Sequence, residues 1–292
     1  MVVTATNKHI NSLVSDINEV LKENFRYSES GLAKLSTSVS EMFVRRLGVE
    51  ETENKDNLRM SNFGTKCDRK LWYTVNKPEV KEPILPHTYL KFMYGDLLEE
   101  VVLNLSEEAG HKVEGRQETL EIDGVVGHRD AVIDGVTVDV KSANSRSFAK
   151  FKKELYQLQD DIWFSNYLDQ LDLYMEAGLE DDKVTIKRVG GFLVVDQEMG
   201  HLNLKLVPKS KKDWKTEIKN KKEMVLHAEP PAREFEDQAD GVSGNRKLNT
   251  YCSYCQFKKI CWPGLRTFIS STGPKHLTKV VREPNMLEIK ND

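Results

Sequence analysis

The chain has 292 residues, 39 % hydrophobic and 30 % charged, enough for one large domain or two small ones with a buried core. A formal net charge of −3 excludes a bulk polycation, so any contact with nucleic acid must come from local basic patches. No signal peptide or long apolar span is visible, which excludes a membrane-spanning protein and predicts a cytoplasmic one in a reducing compartment.

Residues 1–57 read as an N-terminal helical region, with Leu13, Ile17, Val20 and Leu21 on one face and a polar linker over 50–57. Ser61 and the run Cys67-Asp68-Arg69-Lys70-Leu71-Trp72-Tyr73 follow. A helix is predicted near 90–109, where Leu97, Leu98, Val101, Val102 and Leu105 recur at helical spacing beside Gly95 and Glu99. Strands are expected at about 112–122.

Val125 to Lys141 carries the clearest chemistry. Two β-branched runs flank Asp134-Gly135, a strong two-residue hairpin signal. With that dipeptide as the turn, Ile133 faces Val136 and pairing continues outward until Asp130 lies opposite Asp139. His128 then falls opposite Lys141, where a structural role is expected of it. Period two puts Lys141 on the face of Asp139. Two carboxylates opposite one another repel, and a hard cation such as Mg²⁺ would remove the penalty. A solvated hairpin with surface charges is the other reading of this stretch taken alone.

Helices are predicted near 150–178 and strands at 191–196 and about 201–207. This order of strands and helices predicts an α/β fold with a mixed central sheet flanked by helices. Gln170 and Tyr174, at i and i+4, share one helix face, which Tyr167 extends. The run Lys209 to Lys222 is basic, with Lys211, Lys212 and Lys215 among its lysines. Trp214 and Ile218 are spaced to anchor it as a helix. It reads either as a solvated face or as a stripe along a phosphate backbone with Trp214 as a stacking platform. Arg146, Phe148, Lys150, Lys152 and Lys153 make a second candidate patch for DNA. The polar stretch 229–244 reads as a connector, and no motif is read beyond about 275.

There are four cysteines. Cys252, Cys255 and Cys261 form C-x2-C-x5-C, and Cys67 stands far upstream. In a reducing compartment they read as a metal or cluster site, and spacing alone suits zinc and iron–sulfur alike.

Together these motifs resemble the iron–sulfur-containing, RecB-like branch of the PD-(D/E)XK nuclease superfamily. That branch includes the nuclease domain of AddB and the exonucleases that accompany CRISPR adaptation. The resemblance rests on Asp130 followed by Asp139-Val140-Lys141, on Gly95 four residues before Glu99, and on Gln170-x3-Tyr174. It rests also on one cysteine before these motifs and three after them. Two departures are present: Glu99 stands where RecB favours histidine, and Asp68 follows Cys67 where the family has proline.

The resemblance implies a restriction-endonuclease-like core over 58–208, a basic helix and connector over 209–247, and an iron–sulfur segment over 248–292. It implies Mg²⁺ or Mn²⁺ held by Glu99, Asp130, Asp139 and the Val140 carbonyl. Lys141 would act in catalysis, with Gln170 and Tyr174 supporting it. A 4Fe–4S cluster on Cys67, Cys252, Cys255 and Cys261 is implied as well, with Zn²⁺ as the alternative. The implied activity is an exonuclease on single-stranded DNA ends, in recombination (viral recombination included), repair or end processing. No GxxxxGK[ST] loop is present, so a helicase motor or an annealing function would come from a partner. The alternatives are a structure-selective endonuclease on the same fold and a catalytically silent DNA-binding or inhibitory module.

Overall fold

The β-branched runs on either side of Asp134-Gly135 do form a hairpin, and the strand beyond the turn is central to the sheet. The computed structural model describes residues 8–22, 25–48, 58–158, 160–271 and 273–289; the linker expected over 50–57 lies outside them. The helices of the first half are α1 (Leu13–Val20), α2 (Glu29–Leu47), α3 (Met60–Phe63), α4 (Asp68–Asn76) and α5 (Pro86–Glu108). Then come β1 (Val113–Glu114), β2 (Glu118–Ile122), β3 (Val125–Arg129), β4 (Ala131–Ile133) and β5 (Val136–Ala143). They are followed by α6 (Ser145–Phe151), α7 (Ile162–Ala177), β6 (Val189–Asp196), β7 (Leu202–Pro208) and α8 (Trp214–Val225). The last elements are β8 (Gln238–Ala239), β9 (Arg246–Lys247), α9 (Thr250–Ser253), α10 (Lys258–Cys261), β10 (Arg266–Ser270), β11 (Gly273–Lys279) and β12 (Glu288–Ile289).

The chain forms two compact units. One comprises 1–55, 59–64 and 86–218, the other 56–58, 65–85 and 219–292. In the first, five strands make a mixed sheet in the order β1-β4-β5-β6-β7, with β5 and β6 parallel and the other pairs antiparallel. Asp134 and Gly135 both have left-handed backbones, φ 49° and 80°, as a two-residue hairpin turn of this hand requires. Register follows the predicted pairing through Ile133↔Val136, Val132↔Thr137 and Ala131↔Val138. There it stops. Instead of continuing along β5, β3 pairs with β2 in a separate two-stranded ribbon.

The two faces of the sheet bury different cores. Val136, Val138 and Val140 of β5 join Leu193, Val195, Ala131 and Ile133 against Leu13 and Ile17 of α1 and Val102 and Leu105 of α5. Leu21, expected on the same face as Leu13, is 45 % exposed because α1 has already ended. On the other face Ala143, Phe192 and Val194 pack with Phe148, Phe151, Phe164 and Leu171 of α6 and α7. Helix α7 is set by Asp161, whose carboxylate accepts from Phe164 N–H at 3.0 Å. Helix α5 approaches β5 closely at Gly95, where a Cβ would stand 3.1 Å from Ser142 Oγ.

The second unit contains an antiparallel sheet in the order β12-β10-β11-β9-β8. It also holds α4 and the short helices α9 and α10. Its aromatic cluster is Trp72, Tyr73 and Phe257, with Tyr73 and Phe257 stacked at 5.7 Å. No helix among the described residues is long and apolar enough to cross a membrane.

Candidate active site

Asp139 lies in β5, 1 % exposed, and Lys141 shares its face by the strand's period. Lys141 Nζ stands 2.7 Å from Asp139 Oδ2, an ion pair within the site. Asp130 fills the single-residue gap between β3 and β4. The β4–β5 ladder has ended there, and Val140 N–H donates to Asp130 Oδ2 at 2.7 Å.

Glu99 comes from α5 and accepts from Gln117 Nε2 at 2.6 Å. Gln117 has a left-handed backbone, φ 52°, and its N–H donates to the Asp130 carbonyl at 3.2 Å. One residue thus ties both acids, and nothing in the sequence pattern singled it out. On α7, Gln170 Oε1 accepts from Lys141 Nζ at 3.4 Å and Gln170 Nε2 donates to Tyr174 Oη at 2.9 Å. The Tyr167 ring centre lies 5.1 Å from the same Nζ.

Burial raises the pKa of all three carboxyls. Glu99 is pushed up to about 7 by burial and then by Glu100, Asp96 and Asp139, against the bond from Gln117. Asp130 is held well above the usual range by burial, Glu99 and Asp139. Burial raises Asp139 too, and Lys141 holds it back. Burial works against the charge on Lys141, but Asp139 and Asp130 outweigh it and its pKa is raised, so it stays a cation. Burial likewise keeps the Tyr174 phenol protonated.

Three carboxyls that repel one another, Asp139 buried and Glu99 and Asp130 half-buried, form an all-oxygen donor set that fits a hard divalent cation. As the side chains stand, no group of three His, Cys, Asp or Glu among the described residues is disposed to hold a metal ion. Asp130 is turned to Val140, Glu99 to Gln117 and Asp139 to Lys141.

A family profile of the PD-(D/E)XK nuclease superfamily matches residues 39–262. The chain belongs to this superfamily. Its members are nucleases that act on DNA and typically use Mg²⁺ or Mn²⁺. The crystal structure of SSO0001 is similar to this nuclease over 77 % of the chain and 95 % of its own, at 15 % identity and a TM-score of 0.42. Sequence comparison with curated proteins gave no match.

Since a metal ligand must be deprotonated, Mg²⁺ or Mn²⁺ affinity of the nuclease is expected to rise about tenfold between pH 6 and 8, following Glu99 at about 7. Calorimetric titration at fixed ionic strength measures this. A flat profile would remove Glu99 from the ligand set.

The second unit brings the four cysteines to one cavity, which Lys70, Tyr73, Phe257 and Trp262 also line. Cys67 caps α4, its sulfur accepting from Lys70 N–H at 3.4 Å. Cys252 N–H donates to Asn249 Oδ1 at 2.9 Å. All four are free thiols. Burial first, then the neighbouring cysteines, pushes Cys252 up to about 12, and burial also raises Cys67 and Cys255.

The residues offered for DNA contact are scattered in character. Arg146, Lys152, Lys153, Lys211 and Lys215 are exposed. Lys150 is paired with Asp161 at 2.5 Å and Lys212 with Asp169. Trp214 is not a stacking platform: it is 3 % exposed, packs edge-on against Phe63 and donates to Asp172 Oδ2 at 2.6 Å. Phe148 is core as well. His128, placed opposite Lys141 by the simple hairpin, instead pairs with Thr119 in the β2–β3 ribbon with its side chain exposed.

Proposed function

We propose that this protein is a Mg²⁺- or Mn²⁺-dependent deoxyribonuclease of the RecB-like kind, acting as an exonuclease on single-stranded DNA ends in recombination, repair or DNA processing. The observation that carries the reading is the set of Glu99, Asp130 and Asp139, all with raised pKa, beside Lys141, with Lys141 bonded to Gln170. Glu99, Asp130, Asp139 and the Val140 carbonyl would hold the metal. When bound, it supplies Lewis-acid polarisation of the phosphate and neutralises its charge.

The chain's own groups do the rest. Lys141 remains protonated, so its part is electrostatic: it offsets negative charge developing on the phosphate. Gln170, fixed by Tyr174, holds Lys141 at that position. Val140 N–H holds Asp130 in place by its side chain, and Gln117 holds Glu99 in the same way.

The cysteine cavity supports a second element of the proposal, a 4Fe–4S cluster held by Cys67, Cys252, Cys255 and Cys261, with Zn²⁺ as the alternative. Four thiols gathered from two distant segments into one cavity suit a thiolate-bound group. Its role would be to staple the segments together, with a helicase or annealing protein as a separate partner.

The test is incubation with end-labelled linear and covalently closed circular single-stranded DNA in Mn²⁺, beside Asp139→Ala. Degradation of the linear strand alone, lost in the variant, is the expected result. Cutting of the circle would make it an endonuclease on the same fold. Cleavage that survives Asp139→Ala would remove the site.

A further inference from the structure

We infer that one face of α5, from Tyr89 through Phe92 to Glu99, is a binding track for single-stranded nucleic acid that leads into the acidic site. The inference rests on the nuclease reading and adds the route its substrate takes. Residues 89, 92, 96 and 99 recur at i, i+3, i+7 and i+10, which puts them on one helical stripe. The contacts agree with the geometry. The Arg46 guanidinium pairs with Asp96 at 2.5 Å and lies 5.7 Å from the Phe92 ring centre. Asp96 and Glu99 line one cavity with Met42, Arg45, Arg46 and Gln117. The stripe is therefore continuous with the site that holds Glu99.

The chemistry of the stripe selects its occupant. Tyr89 is 54 % exposed and Phe92 41 %, which a helix in a folded unit gains nothing by showing to water. Aromatic rings in the open beside arginines are what sequence-tolerant binding of unpaired bases uses, with the bases stacking on the rings and the cations meeting phosphate. From Tyr89 to Glu99 the helix rises about 15 Å, room for about four bases stacked at roughly 3.4 Å. Duplex DNA hides its base faces and would have no use for the rings. Arg45 and Arg46 are the cations of the stripe, each paired with an acid of α5, Arg45 with Glu100 at 3.0 Å and Arg46 with Asp96, so phosphate would have to share or displace those carboxylates.

The experiment measures affinity apart from cleavage. In an Asp139→Ala background, a fluorescent thymidine oligonucleotide is titrated and its anisotropy followed. Adding Tyr89→Ala and Phe92→Ala together is expected to weaken binding about tenfold or more. Phe92→Trp should preserve affinity and Phe92→Leu, which keeps the apolar surface without the π-face, should lose it. Arg46→Gln should lower the slope of log affinity against log salt by about one phosphate contact. Thermal melting confirms that each variant is folded.

Unchanged affinity in the aromatic double variant would overturn the track while leaving the nuclease reading standing. Equal affinity for Phe92→Leu and the parent would also overturn it, since an apolar surface alone would then suffice, as for a protein partner. No binding by the Asp139→Ala parent itself would instead count against the nuclease reading on which the track depends.

Discussion

Glu99→Gln is expected to abolish metal-dependent cleavage and at the same time to raise the melting temperature of the metal-free protein at pH 8. The two effects have one cause. In the absence of a cation, burial and then Glu100, Asp96 and Asp139 push the Glu99 carboxyl up to about 7, so ionising it inside the fold costs more than ionising it in the unfolded chain. A raised carboxyl pKa stabilises the fold fully below the unfolded value, near 4.5, and that contribution is lost as pH rises through about 7. Glutamine keeps the shape and can accept from Gln117 Nε2, but it carries no charge to lose. At pH 8 the gain should be about 1–3 kcal/mol, discounted because Glu99 keeps some contact with solvent. That is a rise of several degrees, at roughly 2–4 °C per kcal/mol.

At pH 4 the difference should vanish, since Glu99 is then protonated in both states. Differential scanning calorimetry at the two pH values, with chelator present, makes the comparison. A structural glutamate would behave in the opposite way, its removal lowering stability with little effect on the cleavage rate. Saturating Mg²⁺ should reverse the order at pH 8: the parent gains by binding it and the variant does not.

The acidic site was largely readable because it is built from local rules. Asp134-Gly135 demands two left-handed residues, the turn fixes the register, and period two places Lys141 with Asp139. What local rules cannot show is where a ladder ends. Asp130 marks the point where the chain leaves the β2–β3 ribbon for the central sheet, and its carboxylate takes the N–H of Val140 that β4 no longer meets. A simple hairpin runs past this point and sends His128 toward Lys141, whereas the ribbon turns it to Thr119.

Gln117 was invisible for a related reason. It sits in a turn of no periodicity, and its value comes from reaching a helix and a strand gap that only the tertiary fold brings together. Trp214 shows the converse. Surrounded by lysines in sequence, it suggested a stacking surface, but Asp172 of α7 offers its indole N–H a buried acceptor, and burial of a large ring outweighs its exposure to water. The last sheet escaped because its strands are short and half-exposed, with β12 and β8 only two residues long. Such segments carry too little alternation to be read.

Cys252→Ser should cost the second unit most of its stability, and this is the other large effect. Its aromatic cluster is small, Trp72, Tyr73 and Phe257 with Cys255 and Cys261 against it, and its elements are short, strands of two to seven residues beside the four- to nine-residue helices α4, α9 and α10. A unit of such short elements gains from a cross-link between distant segments. Cys67 and Cys261 come from far apart in the chain, so a group bound by both removes the entropy of a very long loop from the unfolded state. For a structural metal on thiolates the binding free energy, on the order of 10 kcal/mol, is folding free energy.

On the proposed 4Fe–4S cluster, protein purified without oxygen is expected to absorb near 400 nm and to contain iron and sulfide. The serine variant should lose the colour and show an early thermal transition more than about 10 °C below the parent. A colourless parent with one bound zinc would keep the staple and replace the cluster. Parent and variant melting alike, with neither metal present, would make the four thiols ordinary buried side chains. An early transition confined to the variant, with Mg²⁺ binding at Glu99 intact, would show that the cysteines hold structure while the carboxylates hold chemistry.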